Sequence, residues 1–370
     1  MKIEKINIYH IRMPLQSHFE TSFGRVYERD CVLLEVQSEG FTGYGECAAD
    51  RDPGYSYETV GTSWHILTDF IIPAILGQDV LGAEDLHLRL NYIKGHQMAK
   101  AGLEMALWDL LGKRDKSPLV ELIGGVRTKV KVGVSVGLQD SPSELLRVVE
   151  NYLESGYGRI KLKIKPGRDV DVVATIREKF QDLPLQVDAN SAYTLESASA
   201  LLPLDDFNLL LIEQPLAEDD FWDHRQLQTK FVTPLCLDES ITHPRHARQA
   251  LEMDACRIIN IKPGRVGGIS QGILIHDHCQ RQDVPVWCGG LLETGVGRAS
   301  NLAIASLPNF KLPGDISATE RYYAEDITNE TFVLNNDSTI DVPQGVGLGI
   351  SINYSALDRY TMKTKSYENE

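Results

Sequence analysis

The stretch RIKLKIKPG, residues 159–167, reads as a buried strand that carries two ammonium groups. Side chains alternate across a strand, so Leu162 and Ile164 share one face while Lys161 and Lys163 share the other. Short apolar runs ending in a polar or Gly-rich loop recur on both sides of it. They end at Ser135 (VKVGVSVG), Lys163, Asp188 (LQVDAN), Glu213 (LLLIEQP), Asp238 (PLCLDES), Lys262 (RIINIKPG), Cys288 (VPVWCGG) and Asp315 (FKLPGD). The separations are 28, 25, 25, 25, 24, 26 and 27 residues, and most gaps hold an amphipathic helical pattern such as RDVDVVATIREKF or PRHARQALEM. Parallel neighbours need crossovers of this length, so eight such units predict a (β/α)8-type barrel. A doubly wound open sheet is the competing fold. Seven equal spacings, with no Gly-rich phosphate loop opening the first helix, suit closure better; GVGLG at 345–349 is followed by no helix.

Outside the repeat the pattern changes. KINIYHIRM and CVLLEVQSEGFTGYGECAA alternate like paired strands, with Ser38, Glu39 and Gly40 as a turn. Between Tyr57 and Arg114 the period is helical, and AKAGLEMALWDLLGKR carries Leu103, Ala106, Leu107, Leu110 and Leu111 on one stripe. Strands followed by helices describe a small α+β domain. After Asp315 no eighth amphipathic helix follows, and TFVLNNDSTIDVP reads as a hairpin around Asn335, Asn336 and Asp337. The expected fold is therefore α/β: a (β/α)7β modified TIM barrel over residues 126–320, an N-terminal α+β capping domain over 1–125, and a C-terminal segment, 321–370, returning to complete the cap.

The bulk properties narrow the function. A formal charge of −15 over 370 residues argues against nucleic acid and anionic membranes as partners. Six scattered cysteines without a C-x-x-C pair, and an N-terminus lacking a long apolar stretch, predict a reduced, cytoplasmic protein. No apolar run approaches the roughly 20 residues needed to cross a bilayer. His243 and His246 in HPRHA lack the further ligands of a zinc site and read as a helix start. A homo-oligomer acting on a small-molecule carboxylate is expected.

In a barrel with sequential neighbours, Lys163 ends the second strand and Lys262 the sixth, so they face each other across the mouth. Asp188, Glu213 and Asp238 end the third, fourth and fifth strands and fill the arc between them. Alternation turns Gln186, Asp188, Asn190, Cys236, Asp238, Asn260 and Lys262 inward, together with Lys161 and Lys163. Taken singly, a strand-end aspartate is more often a helix cap, and paired lysines are more often an exposed edge. All five in register at one barrel end argue for chemistry. Three confined carboxylates repel unless a cation joins them, and all-oxygen donors favour a hard ion such as Mg²⁺. A carboxylate substrate there would place its α-carbon between two lysines, one of which can remove the α-proton. Positive charge from Lys161 and the metal would lower the pKa of Lys163 and suit it to that task.

KLK, VDAN, IEQP, LDES and IKPGRVGG, in this order, resemble the enolase superfamily and specifically its muconate lactonizing enzyme-like subgroup, as does AKAGLEMALWDLLGK through PLVELIGG. Within the subgroup the chain is similar to the o-succinylbenzoate synthase and N-succinylamino acid racemase branch. Arg265 resembles an arginine of the racemase-capable members, and HFETSFG and DRDPGYSYET resemble their two substrate-closing cap loops. The resemblance implies that Asp188, Glu213 and Asp238 bind Mg²⁺, with Mn²⁺ as a substitute. Lys163 would take the α-proton in a syn dehydration of 2-succinyl-6-hydroxy-2,4-cyclohexadiene-1-carboxylate on the menaquinone pathway, and Lys262 would stabilise the enediolate. In racemisation the two lysines would form a two-base pair. Lys161, Asn190, Glu239 and Arg265 would support them. Ser135, Phe19, Phe23 and Tyr55 would contact substrate, and GGLLETG, with Leu292 and Glu293, would line the succinyl end. Dipeptide epimerases of the superfamily carry Asp-x-Asp at the eighth strand, where this chain has Asp315, Ile316 and Ser317. Muconate cycloisomerisation competes with this reading, as does a catalytically silent binding protein on the same scaffold.

Overall fold

Gly43 and Gly45 sit where a side chain cannot: a Cβ at either would fall 2.0–2.3 Å from backbone oxygens of Gly102 and Ala106. The long helix Gln97–Asp115 therefore lies directly against a strand of the N-terminal sheet. That sheet is formed by β1 (Lys5–Thr21), β2 (Gly24–Ser38) and β3 (Phe41–Cys47), antiparallel in sequence order. The computed structural model describes residues 1–369. Glu39 and Gly40 both take positive φ, 52° and 80°, which is the backbone a tight two-residue hairpin needs. Leu103, Ala106, Leu107 and Leu110 face this sheet and join Ile6, Ile8, Val32 and Leu34 in one apolar cluster. The helix is buried on its other side as well, where Ala101 and Met105 belong to the barrel core; Leu111 of the expected stripe is only half-buried. Glu104 is fully buried there and accepts from the backbone N–H groups of Ile269 and Ser270, each at 2.8 Å, capping the barrel helix Ile269–Arg281 from outside.

The barrel strands follow. A short β4 (Lys129–Lys131) precedes β5 (Val134–Val136), β6 (Ile160–Lys163), β7 (Leu185–Asp188), β8 (Ile212–Glu213), β9 (Leu235–Leu237), β10 (Ile258–Ile261) and β11 (Val286–Cys288). β5 to β11 make one parallel sheet in strict sequence order. Outward residues such as Ile160, Leu162, Val187, Ile212, Leu235, Ile259 and Ile261 pack under the surrounding helices. The floor of the interior is a separate small cluster of Leu211, Cys236, Ile258 and Trp287.

Three features depart from the expected pattern. The eighth stave, Phe310–Asp315, forms no regular strand, because Pro313 lacks the N–H that a ladder requires. It still joins the two sheet edges: Gly133 N–H donates to Gly314 O at 2.7 Å, and Asp315 N–H donates to Cys288 O at 2.9 Å. VKVGVSVG is broken in two, with β4 leaving the barrel sheet to pair with β12 (Thr339–Asp341). The hairpin expected around Asn335 to Asp337 is consequently a turn whose second arm has β4 as its partner. The gap before β8 holds a 3₁₀ helix, Ser197–Phe207, with Pro203 inside it. Beyond Tyr354–Tyr360, which is helical, β13 (Thr361–Glu368) pairs antiparallel with β1 on the outer edge of the N-terminal sheet. No helix among the described residues is long and apolar enough to cross a membrane.

Candidate active site

The register of the parallel sheet places the charged groups. Ser135 pairs with Lys161, Lys163 with Asp188, and Asp188 with Glu213, so neighbouring strands present them side by side. Asp238 and Lys262 follow one residue beyond β9 and β10. Two strand ends turn sharply through positive φ, 44° at Asn190 and 37° at Gln214. Gln214 then ties the fourth stave to the fifth: its Oε1 accepts from Asp238 N–H at 2.9 Å and its Nε2 donates to Ser240 Oγ at 2.8 Å.

Lys163 Nζ donates to Asp188 Oδ2 at 2.7 Å and to Asn190 Oδ1 at 2.6 Å. Lys262 Nζ donates to Asp238 Oδ2 at 2.8 Å and to the Tyr55 hydroxyl at 3.0 Å. Between them Lys161 Nζ lies 3.0 Å from Asp188 Oδ2, 2.9 Å from Glu213 Oε2 and 2.6 Å from Asp315 Oδ2, above the Trp287 ring. Arg265 pairs with Asp238 and donates to Ile241 O, Asn260 O and Tyr55. Asn190 Nδ2 donates to Glu239 Oε1 at 2.8 Å, and Asn260 Nδ2 donates to Glu213 Oε1 at 2.7 Å. Within the barrel-mouth cluster the buried cations are Arg159, Lys161, Lys163, Lys262 and Arg265, and the buried carboxylates are Asp188, Glu213, Asp238, Glu239 and Asp315. Five stand against five, so a divalent cation added here leaves a surplus of two positive charges.

The two flanking lysines are electrostatically unlike. Burial, with help from the Lys161 charge, lowers the Lys163 pKa despite Asp188. Burial acts the same way on Lys262, but Tyr55, Glu213 and Glu239 outweigh it and hold that ammonium above the ordinary lysine value. Lys161 is likewise held charged, against burial, by Asp315, Glu213 and Asp188. Although burial opposes its charge, Lys163 and Lys161 keep the Asp188 carboxyl well below the usual range. Glu213 is raised by burial and by the Asp188 charge, and Glu239 is pushed up to about 7 by burial, then by Asp188. Like charge is thus undercompensated at Glu213.

Among the described residues no three acidic, histidine or cysteine side chains form a ready-made metal cage, because Asp188 and Asp238 are turned onto lysines and Arg265. The donor set is nevertheless that of a hard cation: three carboxylates on adjacent staves, two of whose oxygens already converge on the Lys161 ammonium.

Above the barrel mouth the N-terminal layer closes a cavity. Its walls include Phe19, Phe23, Val26, Arg29, Tyr55 and Met98 from that layer, and Ser135, Lys161, Lys163, Lys262, Leu292 and Asp315 from the barrel. Phe19 lies over Lys163, its ring centre 5.9 Å from Nζ, while Phe23 is half-exposed at the rim. Ser135 Oγ is buried in the wall without a partner among the described residues. Tyr55, expected to meet substrate, is also held inside the charged cluster by Lys262, Arg265 and Asp238. Glu293, expected at the succinyl end, does not line the cavity. Its carboxylate is taken by Leu291 N–H and Asn301 Nδ2, because the loop folds back on itself at Leu292, whose φ is 57°. Sequence reasoning left Gln214, Asp315 and Arg29 out of the site. For Asp315 a signal existed, since it ends the eighth stave opposite Arg159, which lies 2.7 Å from it.

The comparisons with known proteins follow the same lines. Residues 3–124 match the N-terminal domain of the mandelate racemase / muconate lactonizing enzyme family, and residues 144–356 match the enolase C-terminal domain-like family. An o-succinylbenzoate synthase from Geobacillus stearothermophilus is 47% identical over 368 residues, 99% of this chain and 98% of that protein. An N-succinylamino acid racemase from an Amycolatopsis species is also 47% identical, over 98% of both chains. Among solved structures, an enolase superfamily member from Listeria innocua superposes with a TM-score of 0.95 at 39% identity, covering 100% of this chain and 99% of its own.

Proposed function

The chain belongs to the enolase superfamily, in its mandelate racemase / muconate lactonizing enzyme family, and from that premise we propose that it is a cytoplasmic, homo-oligomeric o-succinylbenzoate synthase that also racemises N-succinylamino acids. Asp188, Glu213 and Asp238 would hold Mg²⁺, which when bound withdraws electron density from the substrate carboxylate and so acidifies the α-carbon.

The protein's own groups carry the proton. Lys163, its pKa depressed by burial, is the base: its amine takes the α-proton of the cyclohexadiene acid. Lys262, held as an ammonium on the opposite stave, faces the negative charge that develops as the C–H bond breaks. The proton on Lys163 then passes to the departing hydroxyl, which leaves as water from the face of abstraction. In racemisation Lys262 instead delivers its proton to the opposite face of the same carbon. Phe19, Met98 and Leu292 keep bulk water from the reacting centre, while Asn190 orients Lys163.

The observation that carries this reading is the position of Lys163 and Lys262 on the second and sixth staves, each hydrogen-bonded to a carboxylate of the intervening arc. Dipeptide epimerisation is disfavoured because Asp315 is already neutralised by Arg159 and Lys161, leaving no unpaired carboxylate at the end of the eighth stave for a substrate ammonium among the described residues. The test is to follow dehydration of the cyclohexadiene acid, and α-deuteration of N-succinylamino acids in D₂O, both with Mg²⁺. Turnover of both supports the proposal; inertness toward both, with Mg²⁺ present, returns the chain to a silent scaffold.

A further inference from the structure

Four cations line the cavity: Lys161, Lys163, Lys262 and Arg29. The three lysines are engaged with carboxylates of the barrel at 2.6–3.0 Å. Arg29 is different. It comes from the N-terminal sheet, its side chain is 3% exposed, and its only paired carboxylate among the described residues, Asp50, is 3.3 Å away and 34% exposed. Its other contacts are neutral carbonyls. Nε donates to Leu291 O at 2.9 Å, Nη1 to Ala49 O at 3.2 Å and to Asp30 O, and Nη2 to Ala48 O. A guanidinium has five N–H groups, and these bonds use four. Carbonyls orient the guanidinium without cancelling its charge, and Asp50, which lines the cavity with Asp52 and Glu58, is the part-exposed carboxylate that an incoming anion would have to displace.

The location is also defined. Ala48 and Leu291 both abut Gly264, where a Cβ would come within 3.2 Å of Ala48 Cβ and 3.5 Å of Leu291 Cδ1. Gly264 lies two residues past Lys262, so Arg29 closes the cavity on the Lys262 side and ties a cap strand, a cap loop and a barrel loop together there.

A succinyl group carries a second carboxylate, remote from the reacting one. Burying it unpaired is strongly unfavourable, so it needs a cation that the catalytic cluster does not already occupy. Resting on the function proposed above, we infer that Arg29 is the counter-ion for the remote carboxylate of the succinyl group and the residue that selects N-succinyl over other N-acyl substrates. Asp50 competes with the substrate carboxylate for that guanidinium.

The experiment compares α-deuteration of N-succinyl-L-phenylalanine with that of N-butanoyl-L-phenylalanine, which keeps the four-carbon acyl chain and lacks the charge. It uses the intact protein with Mg²⁺, as wild type, R29M, R29K and D50N. The readout is the ratio of the two kcat/KM values. We expect wild type to prefer the succinyl substrate by about 100-fold, in line with a charge-assisted pair. The ratio falls at least tenfold in R29M, falls less in R29K, and rises several-fold in D50N. A wild-type ratio near one overturns the inference, as does a ratio that R29M leaves unmoved. Should R29M and R29K fail to fold, D50N decides it, because an unchanged ratio there also overturns it. Absence of exchange with either substrate in wild type is a distinct result, since it removes the proposed function itself.

Discussion

Asn190 Oδ1 accepts from Lys163 Nζ at 2.6 Å while Asn190 Nδ2 donates to Glu239, so a neutral amide stands between a buried lysine and a buried acid. An aspartate can take the same backbone, φ 44°, but puts a negative charge beside the ammonium. Opposite charge favours the protonated lysine and raises its pKa. A base works only when neutral, so Asn190→Asp moves the ascending limb of the pH–rate profile to higher pH. We expect a displacement of about one unit and a kcat roughly tenfold lower at neutral pH, read from α-deuteration rates between pH 6 and 10.

The opposed lysines predict stereochemically distinct defects. Lys163→Met and Lys262→Met each reduce racemisation by roughly 10³-fold or more, yet each retains α-proton exchange for the one enantiomer whose C–H faces the surviving lysine. NMR of separate D- and L-substrates in D₂O reads this directly. Identical losses for both enantiomers in both variants would contradict placement on opposite flanks.

Chelation should silence the protein reversibly. EDTA removes exchange activity and Mg²⁺ restores it, while Mg²⁺ raises the wild-type melting temperature by roughly 2–4 °C at about a hundred times its Kd. Glu213→Gln, which removes the charge of the middle carboxylate, loses both the activity and the thermal shift.

Glu46 offers a pH test of the contact between the two layers. It is fully buried and receives the Thr294 and Gly297 N–H groups at the start of a barrel helix, and burial, then Glu293, raises its pKa from 4.5 to about 7. A carboxyl with a raised folded-state pKa binds more protons folded than unfolded between those values. Stability therefore falls as pH rises from about 4.5 through 7, by about 3–4 kcal/mol on full ionisation. Melting curves from pH 5 to 8 should show this decline, and Glu46→Gln should flatten it.

Glu104→Ala leaves the N–H groups of Ile269 and Ser270 without their acceptor in a buried interface. Loss of those charge-assisted bonds should lower stability by about 2–4 kcal/mol, seen as a lower urea midpoint with little change in slope.

Much of the site is legible in the sequence because barrel topology converts spacing into position. Strand ends 24–28 residues apart, with Lys163, Asp188 and Glu213 at equivalent places, fix the register found in the sheet. The eighth stave is harder, because Pro313 interrupts the ladder while the chain still closes the ring through isolated hydrogen bonds. β4 reads as one run with β5, since the residues that detach it lie more than 200 positions away in β12. Glu293 misleads for a local reason: positive φ at Leu292 reverses the loop, and no residue type there announces it. Arg29 is invisible in VYERD because its acceptor on the barrel side is 262 residues distant. Periodicity reports the elements, and contacts between distant loops lie beyond it.

The outer strand of the N-terminal sheet has a consequence for biosynthesis. Lys5 at the start of β1 meets Glu368 at the end of β13, 363 positions later, so the roof over the reactive lysines lacks its outer strand until the whole barrel between the two has been translated. Domains fold as units during synthesis, from the N-terminal side. Here the earliest unit must wait for the ribosome to pass the entire barrel, and a prematurely terminated polypeptide would hold its acid–base groups under an unfinished lid.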